Sequence, residues 1–323
     1  MTCLYTNSMW ALVVGLVGVV GVSYLIEALR RPPAAPAHLS WAPGIAVQYV
    51  NVNGIRLRYV VSGEGEPVVL LHTLRTQLDM FQKVLPTLAR DHRVYALDFP
   101  GHGYADIPAA EYTPALFVDA TAGFLDRVGI EHAIIAGESI GASVALLLAA
   151  RGHPRVRAVV AVNPYDYDGG RGIRRSSTLA NLLFGVNDVP IVGGTAMRLR
   201  SSPVVRRILE GGVHDPQALP PELAREMYRV GNRPGHYRAL MALVNHWAEW
   251  EQARGDYHAI ASPVELVYGE FDWSLTAERD ANARDIPGAR MTTVPNAGHF
   301  LSLDAPGAFV DAVARVTQRS GKS

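Results

Sequence analysis

The chain has 323 residues, 49% of them hydrophobic, so it can bury the core of one large domain or of two ordinary ones. Thirty basic and thirty acidic residues give a formal charge of zero, which argues against nucleic acid as a partner because phosphate binding needs a basic excess. A single cysteine excludes an intrachain disulfide and a cysteine-based metal site. The histidines show no metal-ligand spacing, so we predict neither a metal nor a cofactor.

The N-terminal segment contains an uncharged apolar run, "MWALVVGLVGVVGVSYLI", over residues 9–26. A helix of this length spans about 27 Å, close to the hydrocarbon thickness of a bilayer. No lysine or arginine precedes the run, whereas a signal peptide begins with a basic region. We therefore predict an uncleaved single-pass membrane anchor over residues 1–31. Arg30 and Arg31 then place the main domain in the cytoplasm. The alternative is a cleaved signal peptide and a secreted or periplasmic protein.

Residues 32–44 are rich in proline and alanine and are predicted to be a linker. Two alternating runs then meet at Asn53-Gly54, which predicts a two-residue β-hairpin. Apolar, β-branched strands alternate with helices from there to residue 164. The predicted helices cover residues 76–90, 114–128 and 140–151. This alternation indicates an α/β fold whose mostly parallel sheet is covered by helices on both faces.

The alternation stops over residues 165–261, where helical patterns are separated by Gly and Pro, and it resumes over residues 262–319. We interpret residues 45–164 and 262–319 as the core and residues 165–261 as a helical insertion. The insertion holds a patch of seven arginines: Arg171, Arg174, Arg175, Arg198, Arg200, Arg206 and Arg207. This patch is most simply a solvated face, and the alternative is a contact with anionic lipid.

The stretch "GESIG", residues 137–141, places a serine between two glycines at a strand–helix junction. Glycines two residues before and after a serine allow a sharp turn that exposes the serine Oγ. The turn lies at the carboxyl end of a strand and at a helix N-terminus, which favours a developing oxyanion. Ser139 is therefore a candidate nucleophile, and a purely structural turn serine is the alternative.

A serine nucleophile needs a base and an acid that orients the base. His299 lies in "NAGHF", between the last predicted strand and the last helix, and Asp272 lies in "YGEFDWS", just after the preceding strand. Glu270 is the rival for the acid. Ser139, Asp272 and His299 follow one another in this order along the chain.

These stretches resemble the α/β-hydrolase superfamily over residues 47–319. The matching stretches are "VVLLHT", "DFPGHG", "GESIG", "YGEFD" and "NAGHF". The resemblance implies a doubly wound α/β-hydrolase fold with a helical cap at residues 165–261. It implies that Ser139 is the nucleophile, His299 the base and Asp272 the acid, with the backbone N–H groups of Ile140 and Leu74 forming the oxyanion hole. A serine nucleophile speaks against haloalkane dehalogenases and epoxide hydrolases, whose members use aspartate there.

The sequence departs from the family at His72-Thr73, where the family has His-Gly. Threonine tolerates positive φ poorly, so Leu74 is a less secure oxyanion donor than Ile140. Thr73, Arg75 and Phe300 are predicted to contact substrate, and Arg75 would favour an anionic one.

The main functional prediction is a membrane-anchored serine esterase that cleaves a small-molecule, amphipathic carboxylic ester through an acyl-enzyme on Ser139. The first alternative, implied by the resemblance, is hydrolysis of a C–C bond in a dienoic ring-cleavage product by the same three residues. The second alternative is a non-catalytic binding protein, which the intact Ser-Asp-His set argues against. The sequence does not indicate an oligomeric state.

Overall fold

The computed structural model describes residues 2–186, 189 and 191–321. The side chains of residues 2–9, 11 and 12, which include the start of the predicted anchor, lie outside the described part. Ten strands occur in the described residues: β1 (His38–Leu39), β2 (Ala42–Ala46), β3 (Gln48–Val52), β4 (Ile55–Ser62), β5 (Glu66–Leu71), β6 (His92–Leu97), β7 (Ala133–Glu138), β8 (Val156–Val162), β9 (Val264–Gly269) and β10 (Arg290–Val294).

Eight of the strands form one sheet in the order β10-β9-β8-β7-β5-β6-β4-β3. The pairs from β10 to β6 are parallel, and β4 pairs antiparallel with both β3 and β6. The predicted hairpin is confirmed, since Val52 pairs with Ile55 across Asn53 and Gly54. Both turn residues have positive φ, at 52° and 85°, as a type I′ turn requires. The remaining two strands, β1 and β2, form an antiparallel pair that overlaps the predicted linker.

The central strands are buried on both faces because their apolar residues alternate between two cores. On β5, Val69 and Leu71 join one hydrophobic cluster, and Val68 and Leu70 join the other. Successive side chains of a strand point to opposite faces, so a continuous apolar run fits a sheet with helices on both sides. The mostly parallel, doubly wound sheet expected from the sequence is confirmed.

Seven α-helices of the described residues lie outside the insertion, and those at residues 85–88, 114–128, 140–150 and 306–320 pack against the sheet. The seven are α1 (Thr2–Leu29), α2 (Leu85–Leu88), α3 (Pro114–Val128), α4 (Ile140–Ala150), α11 (Thr276–Asp285), α12 (Leu301–Asp304) and α13 (Pro306–Ser320). The continuous helix predicted over residues 76–90 is wrong. A 3₁₀ segment (Leu78–Lys83) containing a kink at Phe81 precedes the short α2. Pro86 supplies no N–H to a preceding turn, so it fits the first turn of α2 and does not continue a longer helix.

Between β8 and β9 the described residues contain six α-helices joined by turns and 3₁₀ segments. They are α5 (Thr178–Gly185), α6 (Val192–Arg198), α7 (Ser202–Glu210), α8 (Pro221–Val230), α9 (His236–Asn245) and α10 (Trp247–Ala253). We call this segment the cap. Its strongly amphipathic α7 and α8 bury Val205, Leu209, Leu223 and Met227 in a third cluster that also includes Phe300.

The predicted transmembrane helix is not supported. No helix among the described residues is both long enough and apolar enough to cross a bilayer. Although α1 covers the apolar run, polar residues at its C-terminal end lie against the cap: Ser23 accepts a hydrogen bond from Arg198, and Glu27 pairs with Arg200. A helix embedded in lipid is surrounded by acyl chains, whereas the C-terminal end of α1 forms polar contacts with the protein itself.

Candidate active site

Ser139 lies on a strained turn between β7 and α4. Its backbone has φ 60° and ψ −122°, a region that non-glycine residues rarely occupy and that costs on the order of 1–3 kcal/mol. The N–H of Ser139 donates to the carbonyl of Val162 on β8, and the Ser139 carbonyl accepts from Ala142 and Ser143. These hydrogen bonds anchor the turn from the neighbouring strand and from the first turn of α4.

The two glycines of "GESIG" are required by close backbone contacts. A Cβ on Gly137 would lie 2.1 Å from the carbonyl oxygen of Gly141, and a Cβ on Gly141 would lie 2.1 Å from the carbonyl oxygen of Leu71. Real Cβ atoms do not approach backbone oxygens so closely. The glycines therefore let α4 start directly against the ends of β7 and β5, and this contact sets the position of Ser139.

The structure brings Ser139, His299 and Asp272 together from three separate loops. His299 Nε2 lies 2.8 Å from Ser139 Oγ, and His299 Nδ1 lies 2.5 Å from Asp272 Oδ1. Because the carboxylate can only accept, Nδ1 carries the hydrogen and Nε2 is free to accept the serine proton. Ser139 and His299 are completely buried, so the three groups form a hydrogen-bonded chain shielded from water.

Asp272, not Glu270, faces the imidazole. Burial opposes ionisation of Asp272, but the charge of His299 and hydrogen bonds from His299 and Ser274 outweigh it and lower the pKa of Asp272 below its usual value. Both the backbone N–H and the hydroxyl of Ser274 donate to Asp272 Oδ2. Glu270 is exposed and accepts from the N–H of Asn296, so it serves the loop before His299.

Two residues that sequence reasoning missed hold the loop that carries His299. The Asn163 side chain, at the end of β8, donates to the carbonyls of Gly298 and His299 and accepts from the N–H of Gly269. Glu138, inside the "GESIG" stretch, accepts from the N–H and hydroxyl of Ser302. No sequence motif points to Asn163. Glu138 could have been predicted, because it is a charged residue within a buried strand.

Aromatic rings enclose the imidazole of His299. Trp273 stacks on it with ring centroids 3.7 Å apart and planes within 11°, and Tyr165 approaches edge-on at 6.2 Å. A stacked indole stabilises an imidazolium through its π face. Trp273 directly follows Asp272 in the chain, so the loop that supplies the acid also covers the base.

Glu138 supports a prediction about stability and pH. Burial raises the pKa of Glu138 from 4.5 to about 8, so the folded chain favours the neutral acid. Because the unfolded carboxyl ionises earlier, the stability contributed by Glu138 is lost as the pH rises from about 4.5 towards 8. A glutamine can accept from the N–H of Ser302 through its oxygen and donate to the Ser302 hydroxyl through its NH₂ group, without titrating. We expect Glu138→Gln to become more stable relative to the wild type between about pH 5 and about pH 9, by on the order of 1 kcal/mol per pH unit at most.

Thermal melts of both proteins across this pH range measure the difference. The exposed Glu131→Gln variant is the control and should melt in parallel with the wild type. Parallel melting curves for Glu138→Gln and wild type would contradict the prediction.

The backbone N–H groups of Ile140 and Leu74 remain the predicted oxyanion donors. Ile140 is the first residue of α4, and no described group accepts a hydrogen bond from its N–H or from the N–H of Leu74. The preceding His72 is buried, and burial lowers its pKa to about 4. Its neutral ring accepts from the N–H of Phe99 through Nε2 and contacts the Thr73 carbonyl through Nδ1. His72 thereby fixes the backbone segment that contains Leu74.

The departure at Thr73 does not place a threonine in a left-handed conformation. Thr73 is buried and has no positive φ, whereas Arg75, two residues later, has φ 59°. The backbone strain of this loop is therefore carried by Arg75. The hydroxyl and N–H of Thr76 both donate to the carbonyl of Thr73, and this short turn gives the loop its shape.

Arg75 is a partly buried cation without a carboxylate partner among the described residues. Burial and the charge of Arg200 lower the pKa of Arg75 to about 10. The same region includes His236, whose pKa is lowered first by burial and then by the charge of Arg75. Burial of a guanidinium without a carboxylate partner costs solvation free energy, and a bound anionic ligand would offset this cost.

Phe300, the third residue predicted to contact substrate, packs inside the protein. Its ring centroid lies 5.8 Å from that of His299 and 6.2 Å from that of Trp273, and its edge fills the space where Gly212 of the cap has no Cβ. Phe300 thus joins the catalytic loop to the cap. Ser139 and His299 themselves have no solvent-exposed surface.

Comparisons with known proteins agree with this fold. The family model described as "alpha/beta hydrolase fold" matches residues 66–306. A 2-hydroxymuconate semialdehyde hydrolase of Pseudomonas sp. (strain CF600) is 27% identical over 271 residues, covering 80% of this chain and 89% of the relative. A haloalkane dehalogenase of Psychrobacter cryohalolentis is 28% identical over 268 residues, covering 77% and 83% of the two chains.

Solved structures show the same architecture. Cfl2 from Burkholderia cenocepacia superposes with a TM-score of 0.75 at 22% identity, covering 88% of this chain and 99% of that one. A meta-cleavage product hydrolase from Pseudomonas fluorescens IP01 superposes with a TM-score of 0.71 at 21% identity, covering 84% and 98%. The sheet order, the "GESIG" turn and the match over residues 66–306 lead to one conclusion: the chain belongs to the alpha/beta hydrolase fold family and is a hydrolase.

Proposed function

We propose that this protein hydrolyses a C–C bond in a dienoic ring-cleavage product that carries a carboxylate. The observation that carries the proposal is Arg75, an arginine without a carboxylate partner among the described residues, placed directly after the candidate oxyanion donor Leu74. The relatives named 2-hydroxymuconate semialdehyde hydrolase, which align over most of the chain, support the same substrate class.

The proposed reaction uses the groups of the candidate site in the following order. Ser139 Oγ attacks the ketone or aldehyde carbonyl while His299 accepts its proton, and the N–H groups of Ile140 and Leu74 stabilise the oxyanion. The C–C bond beside the carbonyl then breaks. In the keto tautomer of the substrate, in which the carbon beside this carbonyl is already protonated, the electron pair of this bond is delocalised onto the keto oxygen, and the resulting dienolate oxygen takes the proton from His299. Water, activated by His299, finally hydrolyses the acyl-enzyme and restores Ser139.

Cleavage of a carboxylic ester is the second candidate. The same hydrogen-bonded chain of Ser139, His299 and Asp272 suits acyl transfer to water from any carbonyl that fits the cleft. A neutral ester, however, would leave the charge of Arg75 uncompensated. The two candidates therefore differ in what they require of Arg75.

Substrate selectivity tests the proposal. We expect the wild type to cleave 2-hydroxymuconate semialdehyde with a higher kcat/KM than p-nitrophenyl butyrate or an alkyl ester. Arg75→Gln should lower kcat/KM for the carboxylate substrate by roughly 10- to 100-fold, because a charge-assisted hydrogen bond is lost, and should change ester cleavage by less than about threefold.

The matched control is Arg90→Gln, at an exposed position after α2, which should leave both activities unchanged. Rapid cleavage of the esters without cleavage of the dienoate would reject the C–C reaction in favour of the esterase. An equal loss of kcat/KM for both substrates in Arg75→Gln would show that Arg75 does not recognise the substrate carboxylate.

A further inference from the structure

One turn of the cap, residues 211–215, lies against the loop that carries His299. We call these residues the cap turn. The carbonyl of Gly212 accepts a hydrogen bond from the backbone N–H of Phe300, the residue after His299, at 2.6 Å. On the other side of His299, a Cβ on Gly298 would lie 2.9 Å from the same carbonyl oxygen. The cap turn therefore contacts the backbone directly before and directly after His299.

Asp304 joins the same two segments through its carboxylate. Its Oδ2 accepts from the N–H of His214 in the cap turn at 2.7 Å and from the N–H of Gly298 at 2.8 Å. Its Oδ1 accepts from the N–H of Asp215 at 3.3 Å. Hydrogen bonds from backbone N–H groups to a carboxylate are stronger than those between neutral groups, so Asp304 holds the cap turn and the loop of His299 in one arrangement.

Trp273 connects the cap turn to the imidazole itself. Its indole Nε1–H donates to the carbonyl of Gly211 at 3.0 Å, and its ring lies on that of His299 with centroids 3.7 Å apart. Trp273 is partly exposed and borders a surface cleft between the cap and the loop of Asp272. Because packing does not enclose the indole fully, its hydrogen bond to the cap turn is needed to fix the plane of the ring.

We propose that the cap turn aligns His299 to accept the proton of Ser139, and that Trp273 is the positioning residue through which it acts. The χ2 torsion of a histidine has broad preferences, so the neighbours of His299 set the plane of its ring. Ser139 and Asp272 hold two edges of the imidazole, and the indole covers a face. This inference rests on the part of the proposed function that both candidate reactions share, in which His299 is the base.

The reaction of Ser139 with a fluorophosphonate probe tests the inference without a choice of substrate. Labelling rates of the full chain at increasing probe concentrations give the limiting rate and the half-saturating concentration separately. We expect Trp273→Leu to lower the limiting rate by about 10- to 100-fold, because a misplaced base transfers the proton poorly, and to change the half-saturating concentration by less than about twofold. Trp273→Phe keeps a ring for the imidazole but has no N–H for Gly211, so its limiting rate should lie between those of Trp273→Leu and the wild type.

Gly212→Ala tests the contact from the side of the cap. A Cβ at this position would lie 2.3 Å from the ring of Phe300, so the cap turn and the loop of His299 must move apart or the ring must shift. We expect the limiting rate to fall by about threefold or more. The matched control is Gly255→Ala, where a Cβ would meet no described atom within 4 Å, and this variant should label as the wild type does.

Phe271→Leu is the matched control for Trp273. Phe271 borders the same cleft and stacks on His214 of the cap turn with centroids 4.1 Å apart, so this variant loses an aromatic contact with the cap and keeps the one on His299. Its limiting rate should stay within about threefold of the wild type. A wild-type limiting rate in Trp273→Leu, or a raised half-saturating concentration in place of a lower limiting rate, would overturn the inference. Absence of labelling in a folded wild type would reject the proposed function, and the inference would fall with it.

Discussion

Replacing Ser139 with alanine should reduce hydrolysis by about 10⁴- to 10⁶-fold while the protein remains folded. The hydroxyl is the only group of the Ser139 side chain that contacts His299, and no other described nucleophile takes its position on the turn. Alanine keeps the Cβ, so the backbone at φ 60° carries the same strain in both proteins. The melting temperature should therefore change by only a few degrees, as expected for one lost hydrogen bond.

Labelling with a fluorophosphonate probe measures the nucleophilic reactivity of Ser139 directly. The wild type should label with one equivalent, and Ser139→Ala should not label. Ser62→Ala, at the end of β4 and away from the turn, is the control and should label as the wild type does. Labelling of Ser139→Ala, or the absence of labelling in a folded wild type, would show that Ser139 is not the nucleophile.

Replacing Asp272 with asparagine should lower kcat by about 10⁴-fold without unfolding the protein. Asp272 accepts hydrogen bonds on both oxygens, from His299 on one and from Ser274 on the other. Asparagine has only one accepting oxygen, so its NH₂ group must face either Ser274 or His299. If it faces His299, the imidazole has to carry its hydrogen on Nε2 and can no longer accept the proton of Ser139.

Steady-state kinetics of Asp272→Asn and Glu270→Gln separate the two carboxylates. Glu270→Gln should retain the activity of the wild type within about threefold, because the Glu270 side chain contacts the N–H of Asn296 and not His299. A large loss in Glu270→Gln together with a small loss in Asp272→Asn would reverse the assignment of the acid.

Local sequence patterns predicted many of the secondary-structure elements of the core. The helix Pro114–Val128 was predicted with the bounds that the structure has, because a proline begins it and a glycine with positive φ follows it. The hairpin at Asn53-Gly54 was predicted correctly for a similar reason, since only a few residues tolerate the required turn. The position of Ser139 on its turn was predicted from flanking glycines that the structure shows to be sterically necessary.

Other predictions failed because distant residues decide the outcome. The run after the oxyanion loop has helical periodicity, yet it forms a 3₁₀ segment whose Asp79 pairs with Arg58 on β4 and accepts from Trp41 near the N-terminus. The apolar run of α1 indicated an anchor, but the local sequence does not show that Glu27 meets Arg200, a residue 173 positions away. The sequence suggested that Thr73 would have to adopt a positive φ, but in the structure the positive φ of this loop lies at Arg75.

By itself, the sequence determined the order of strands and helices and the chemistry carried at each strand end, because propensity, capping and turn residues act over a few positions. Only the tertiary structure decided which of these groups touch: that Asp272 rather than Glu270 meets His299, that Trp273 covers the imidazole, and that Arg200 pairs with α1 while Arg75 pairs with no carboxylate in the part of the chain that the structure describes. The physical reason is that hydrogen bonds and ion pairs depend on distances of a few ångströms between residues that packing, and not sequence separation, brings together.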